Sequence, residues 1–447
     1  MDGDSEFQNL FKDNNEAKAP CNKVESLLKT NARRAPLTLQ NFWKHIEWKN
    51  VIEAIIYYSL AIWGVSTTKL TRNSFIFSII YYYLTGLAIT AGYHRLWAHR
   101  SYNASLPLQY FFALLGAGAS QHSIAWWASK HRAHHRYTDT DLDPYGAHTS
   151  LIWAHFGWLL IKAQYDAPVD RSDLMQNQVV RWQHKYYAPL LLIMSFGLPM
   201  AIAGYGWNDW RGGFVYPGVI RLLVLQHATF CVNSLAHYIG HHTFDDRHTP
   251  RDHFFTAFIT GGEGYHNYHH QFPMDYRNGT KWYHYDLTKW AIYVSAKLGL
   301  ASHLRKFPDN EIKKAQFAMD LKKLKKAQDG ITWPPKYTEL PVLTWEAFQE
   351  ESMTRPLVLI AGFIHDVSLF IEEHPGGRSL LAGQIAKDAT SSFFGGVYDH
   401  SNAAHNLLSN MRVGVLECGV EVISEKSLAL SERLRILNVA ERKALAT

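Results

Sequence analysis

Cysteine is scarce, with 3 residues in a chain of 447, at Cys21, Cys231 and Cys418. They are too scattered for a disulfide framework or a thiolate metal site, which fits a reducing compartment and cytosolic soluble parts. No apolar run occurs in the first fifty residues, so no cleavable secretory signal is visible and membrane entry falls to an internal segment. No Gly-x-Gly-x-x-Gly stands between a strand and a helix, so the chain is not expected to bind a nicotinamide itself. Internal repeats and low-complexity tracts are also missing. The net charge of +6 is modest and falls in short clusters without a nucleic-acid motif. It suits anionic headgroups or substrates, and nucleic acid is not an expected partner.

Two residue classes are abundant: aromatics at 14% and histidine at 25 residues. Amphipathic aromatics collect at membrane interfaces, and neutral imidazole is a common transition-metal ligand. The mean hydropathy of −0.21 averages apolar windows with polar ones. Val51 to Leu70, Asn73 to Gly92, Pro189 to Trp207 and Phe214 to Ala236 are each about the length of a bilayer-crossing helix. Basic residues Lys29, Arg33, Arg34, Lys44 and Lys49 precede the first pair and Arg95, Arg100, Lys130, Arg132 and Arg136 follow it, which places both termini in the cytosol. Leu106 to Ala119 is shorter and suits a buried or interfacial helix.

The expected architecture is mainly α. A polar, flexible segment (1–39) leads into a four-span membrane helical domain with a cytosolic cap (40–307; spans 51–70, 73–92, 189–207 and 214–236). A basic linker (308–335), a small soluble α+β domain (336–425) and a tail (426–447) follow.

Three histidine clusters carry the chemistry. His94 and His99 close the second span, His131, His134 and His135 follow in the next loop, and His266, His269 and His270 come after the fourth span. In the last two, spacing of i, i+3 and i+4 puts the imidazoles on one helical face. His94 and His99 differ by five, which calls for a turn at the helix end. Four spans place all the clusters on one membrane face, which isolated surface histidines would not need to do. So many imidazoles exceed what four-coordinate zinc uses, and two iron ions absorb the count.

The clusters resemble the histidine boxes of membrane acyl-CoA desaturases, particularly the delta-9 or stearoyl-CoA type, over about Gln40 to Phe307. Gly262-Glu263-Gly264-Tyr265-His266-Asn267-Tyr268-His269-His270-Gln271-Phe272-Pro273 is similar to the family signature, and Asn233-Ser234-Leu235-Ala236-His237 to a further ligand segment. The resemblance implies a di-iron shell of His94, His99, His131, His134, His135, His237, His266, His269 and His270, with Asn233 acting through a water; from sequence alone Asn233 reads equally as a helix-packing amide. By spacing alone, His241 and His242 compete with His237. The resemblance also implies an acyl tunnel bent by Gln121, Trp127 and Thr229, with Gly86 and Tyr82 deeper in span two. Trp126 and Trp127 read equally as interfacial anchors. Lys130, Arg132 and Arg136 are candidate contacts for CoA phosphates, or simply a solvated basic face.

Farther on, Pro356 to Ile360 and Phe363 to Val367 read as short strands, and Phe370-Ile371-Glu372-Glu373-His374-Pro375-Gly376-Gly377 as a helix closing into a turn. This resembles the haem-binding signature of cytochrome b5, with His374 as one axial ligand and His400 as the other, and His405 as its competitor. Two axial histidines leave haem b no open position, so this domain would transfer electrons. A separate NADH-dependent cytochrome b5 reductase would supply them.

The resemblance therefore implies a membrane oxidoreductase. It would use O2 to insert a cis double bond at the delta-9 position of palmitoyl- or stearoyl-CoA, in the endoplasmic reticulum bilayer. A membrane hydroxylase, an acyl-lipid desaturase or a noncatalytic haem-bearing scaffold are the alternatives. The C-terminal haem domain and His266 at the head of the third box depart from front-end desaturases, which pair an N-terminal haem domain with Gln there.

Overall fold

The computed structural model describes residues 38, 40–162, 167–395, 399–419, 423 and 427–437. The segment expected at 1–39, apart from Thr38, lies outside the described residues, with Lys29, Arg33, Arg34 and Cys21. Val397 and Tyr398, beside the expected axial His400, lie outside them as well. The chain divides into two compact units between Met319 and Asp320.

The first unit is helical. Helix α1 is Trp48–Thr67, α2 Arg72–Ala98, α3 Leu106–Ala117, α4 Ile124–Tyr137, α5 Tyr187–Trp207 and α6 Trp210–Tyr238. Shorter helices follow: α7 Phe254–Thr260, α8 His266–Gln271 and α9 Leu287–Lys297. Local sequence sets their starts. Thr71 accepts from the Ser74 amide to cap α2, and Ser123 accepts from the Trp126 amide to cap α4. Asn208 ends α5 in the left-handed region at φ 56°, and Asp209 then caps α6 by accepting from the Gly212 amide. That tight reversal needs Gly204, where a Cβ would stand 2.1 Å from the Trp210 ring.

Among the described residues, α2, α5 and α6 are long and apolar enough to cross a membrane, which makes three helices where the sequence suggests four. Helix α1 has 20 residues, enough for a crossing, but Lys49, Asn50 and Glu53 in its first two turns dilute its hydropathy.

The core of this unit joins α2, α3 and α4 through buried Tyr93, Trp97, Phe112, Ala113, Ile124 and Ala128. Gly92 and Gly116 let α2 and α3 approach, since a Cβ at Gly92 would meet the Phe112 side chain at 2.8 Å. Filling such a site fully buries a ring worth about 1.5–3 kcal/mol. This packing fixes the carboxyl end of α2 against α4, and those two segments carry the first two histidine clusters.

The second unit is built on a four-stranded sheet of β1 Val342–Leu343, β2 Leu357–Ile360, β3 Phe363–Asp366 and β4 Arg412–Leu416, in the order β1-β4-β3-β2. The β1–β4 pair is parallel and the other two are antiparallel. Alternation along β2 sends Leu357 and Leu359 to a core with Phe348 and Ile364, and Val358 and Ile360 to a core with Val367 and Phe393. Short helices Arg378–Ala382, Thr390–Phe394 and Asn402–Ser409 close the second face. The segment 370–374, expected as a helix end, forms turns instead. In the expected tail, the described residues 427–437 pack back on the unit. Arg412 donates to both oxygens of Glu432 at 2.8 and 3.1 Å, and Gln328 bonds the Ile436 backbone twice, at 3.0 and 2.7 Å.

Candidate metal and haem sites

The nine box histidines gather into two groups. His94, His99, His131, His135 and His269 form one, and His134, His237, His266 and His270 the other, with the ligand atoms of each group within 4.8 Å of one another. Each of the last two boxes is thus shared. His131 and His135, one turn apart on α4, face the first group, while His134 between them faces the second. On α8 the pattern inverts, with His266 and His270 in the second group and His269 in the first. The single convergent face expected from the spacing is replaced by two adjacent ones.

His94 and His99 meet by a different device from the turn expected between them. From Ala88 to Ala98 helix α2 widens into π-helical winding, and the His99 amide donates to the His94 carbonyl at 3.0 Å. A five-residue repeat then returns to the same face, leaving the two rings 4.7 Å apart.

The facing atoms are Nε2 throughout. In the first group, His94 to His269 is 2.9 Å, His131 to His99 2.8 Å and His269 to His135 2.9 Å. In the second, His134 to His270 is 3.2 Å, His266 to His237 3.1 Å and His270 to His266 3.1 Å. Imidazole nitrogens about 2.1 Å from a metal stand about 3 Å apart when they subtend a right angle, so the donor sets fit metal ions. Several Nδ1 atoms are held from behind, as ligating histidines require. His94 Nδ1 lies 2.9 Å from Glu263, His134 Nδ1 2.9 Å from Asp143, and His237 Nδ1 2.8 Å from the Thr249 hydroxyl, which donates to Asp139 at 2.6 Å. His266 Nδ1 is buried without a hydrogen-bond partner.

Burial, and then the neighbouring imidazoles, hold His99, His131, His135, His266, His269 and His270 well below the usual histidine range. They are therefore neutral and available as ligands near pH 7. Burial alone would raise Glu263, but Arg95 and His94 outweigh it and hold the carboxyl at about 2. Arg95 is buried and also pairs with Asp286 at 3.0 Å. Asp143 is likewise lowered, because His134 and the Tyr145 amide overcome its burial.

Both groups border one cavity, lined by His94 and His131 of the first and His266 of the second. Tyr82, Gly86, Gln121, Trp127, Thr229 and Asn233, all singled out in the sequence, line it too. Trp127 donates to Gln121 Oε1 at 3.2 Å, and the Gln121 amide donates to Thr229 Oγ1 at 2.8 Å, so α4 is tied to α6 across the cavity. Ser120 and His122, on either side of Gln121, have left-handed backbones at φ 54° and 66°, a strained setting that fixes its direction. Arg132 is committed elsewhere: it donates to both Asp173 oxygens at 2.7 and 2.8 Å and to the Trp97 carbonyl at 2.7 Å.

Sequence reasoning gave no role to Glu263, although it lies inside the quoted signature. Arg95, beside His94, carried a signal only as a basic residue at a span end. Asp143, Thr249 and Asp286 had no readable signal, because loops bring them to the site.

In the second unit, His374 Nδ1 lies 3.3 Å from the Gly377 carbonyl, and Gly377 has φ 94°. A Cβ on Gly376 would stand 2.8 Å from the His374 ring, so the His-Pro-Gly-Gly turn is built around the imidazole. His400 Nδ1 lies 2.8 Å from the Phe393 carbonyl, and its ring stacks on Phe393 at 4.3 Å. A ring fixed through Nδ1 presents Nε2 to a metal, which fits both histidines to an axial role. His405 instead packs edge-on to Phe393 at 4.9 Å.

Comparison with known proteins adds two domain matches, a fatty acid desaturase pattern over residues 73–301 and a cytochrome b5-like haem/steroid binding domain over 344–417. The chain is 50% identical over 394 residues to a probable acyl-CoA desaturase of Schizosaccharomyces pombe, covering 88% of this chain and 82% of the relative. It is 46% identical over 415 residues to acyl-CoA desaturase 1 of Saccharomyces cerevisiae, covering 91% and 80%. It is 34% identical over 290 residues to human stearoyl-CoA desaturase, covering 63% and 79%.

Proposed function

The chain belongs to the fatty acid desaturase family, and on that premise we propose how its residues divide the work of desaturating a fatty acyl-CoA. It is an oxidoreductase of the acyl-CoA desaturase type with a cytochrome b5-like domain. The proposed product is the cis delta-9 acyl chain made from palmitoyl- or stearoyl-CoA, with O2 as oxidant.

Two irons would be held by the two histidine groups, five imidazoles in one and four in the other, with Asn233 contributing through a water. Bound iron supplies the oxygen activation needed to break unactivated C–H bonds, which side-chain acid–base chemistry cannot do. The chain's own residues place the substrate. Trp127, Gln121 and Thr229 brace the cavity wall where the acyl chain must bend, and Gly86 and Tyr82 line its deeper end. The observation that carries this reading is the convergence of both Nε2 groups on one cavity whose wall is otherwise largely apolar.

Electrons would arrive through haem b between His374 and His400, supplied by an NADH-dependent cytochrome b5 reductase. Fusion keeps the donor at a high effective concentration. We place the enzyme in the endoplasmic reticulum membrane with cytosolic termini and α1 as a fourth span. Exposed Ile52, Ile55, Ile56, Ile62, Trp63 and Val65 on α1 support that placement, being a lipid-facing surface.

The domain boundaries we propose remain 40–307 for the desaturase domain and 336–425 for the haem domain. Replacing His269 and His374 separately by Ala tests the division of labour. Loss of turnover with intact haem absorbance in the first, and loss of haem with retained iron in the second, is expected. Joint loss of iron and haem in both variants contradicts it.

A further inference from the structure

One wall of the cavity backs onto an exposed apolar surface. Tyr83, Ile259, Thr260 and Leu287 line this wall and are half-buried, and the side chain preceding Ile259, Phe258, is exposed. That surface is apolar and aromatic. Phe254, Phe255 and Phe258 on α7 are 66%, 59% and 50% exposed, and Trp290 on α9 is exposed beside them. On a chain with membrane-crossing helices, such a patch faces lipid.

This wall is a seam between α2 and the segment 254–288. The buried Arg95–Glu263 and Arg95–Asp286 pairs anchor it at the histidine end. Along the rest, the Tyr82 hydroxyl donates to the Ile259 carbonyl at 2.8 Å, the Thr90 and Thr288 hydroxyls meet at 2.7 Å, and Tyr83 bonds Tyr285. Phe258 and Tyr285 cover the outside, with ring centroids 5.2 Å apart. Helix α7 ends in Gly261 and Gly262, at φ 70° and 119°, backbone settings that glycine adopts without strain. A Cβ on Gly261 would meet only Leu287, at 3.9 Å, whereas one on Gly262 would stand 2.6 Å from Asp286, so the joint has open space on the Gly261 side and is closed against Asp286. Hydrogen bonds of this kind are weak in net terms compared with an interdigitated helix interface, so this stretch of the wall can part while the Arg95 pairs hold.

We propose that the seam is a lateral portal through which the acyl chain passes between the cavity and the bilayer. The inference rests on the acyl-CoA reading above and adds a route to it. The polar thioester end stays at the cavity mouth while the apolar chain moves sideways into lipid. The chain then need not be drawn lengthwise through water, where every exposed methylene costs about 0.8 kcal/mol.

The test uses the full chain in lipid nanodiscs, with its three native cysteines changed to Ser and the pair Thr90→Cys and Thr288→Cys introduced. Hydroxyls 2.7 Å apart put the two β-carbons within reach of a disulfide. The reduced variant is loaded with pyrene-dodecanoyl-CoA and oxidised with diamide, and transfer of the probe to acceptor vesicles is followed by fluorescence. At least about tenfold slower transfer after oxidation, reversed by reductant, is expected. Equal rates with the disulfide verified by mass spectrometry overturn the portal. Tyr285→Ala provides a second arm that needs no cross-link: faster transfer supports the portal, and an unchanged rate counts against it. Failure of the reduced protein to take up the probe at all would instead sink the acyl-CoA reading.

Discussion

Glu263 places one carboxylate oxygen 2.9 Å from Nδ1 of His94 and the other 2.8 Å from the Arg95 guanidinium, so a single buried side chain joins a metal-facing imidazole to a fixed charge. Asp143 holds His134 at the same 2.9 Å, and the two histidine groups each have their own carboxylate. Glu263→Gln is expected to weaken iron at the first group by about 10–100-fold, and Asp143→Asn at the second by a similar factor. Iron retained per chain under graded chelator competition separates them. In each variant the iron-loss step of the weakened group should move to lower chelator concentration, and an unchanged profile in both would remove the positioning role.

The boxes were legible because α-helical spacing is a strong signal: His131-x-x-His134-His135 and His266-x-x-His269-His270 place their rings together in any helix. Their division between two sites was not, since it depends on how α4 and α8 are set against the end of α2. The His94–His99 pair was legible as a pair and misread in mechanism, because nothing local in the sequence marks π-helical winding. Helix α1 illustrates the reverse difficulty. Its apolar run is plain, but three polar residues in its first turns leave composition alone undecided about a crossing. The described part of the tail shows the limit of reading composition, as Glu432 and Ile436 find partners in Arg412 and Gln328 that lie far away in sequence.

The bend in the cavity gives a prediction about where the double bond forms. Thr229→Val removes the hydroxyl that accepts from Gln121 and leaves the packing nearly unchanged. Loss of one such bond costs about 1 kcal/mol. Some product with the double bond moved along the chain is therefore expected beside the main isomer. Product analysis by mass spectrometry checks this, and a single isomer at wild-type purity would show that the bridge does not set position.

Chain length should respond to Gly86. A Cβ there would meet Leu225 at 3.4 Å, tight but tolerable, whereas a larger side chain must project into the cavity. Gly86→Leu is expected to shift preference from stearoyl- toward palmitoyl-CoA or shorter substrates by several-fold in kcat/KM. Competition between the two substrates measures it, and an unchanged ratio would place the chain terminus elsewhere.

Low histidine basicity sets the pH response of the metal-free protein. His99, His131, His135 and His269 are held neutral in the folded state, but in an unfolded chain they take up protons below about pH 6.5. The unfolded state then binds more protons, so folded stability falls as pH drops through that range. Melting temperature between pH 8 and pH 5 should decline in the wild type, and less steeply when His131 and His135 are replaced by Gln. Parallel slopes would contradict the assignment.

The most direct measurement is turnover of the full-length protein, loaded with iron and haem in nanodiscs, with stearoyl-CoA, O2, NADH and cytochrome b5 reductase, followed by mass spectrometry of the acyl product. The account predicts a cis double bond between carbons 9 and 10 and one NADH consumed per double bond in fully coupled turnover. A hydroxylated chain, or no product from protein verified to hold both irons and haem, would contradict it.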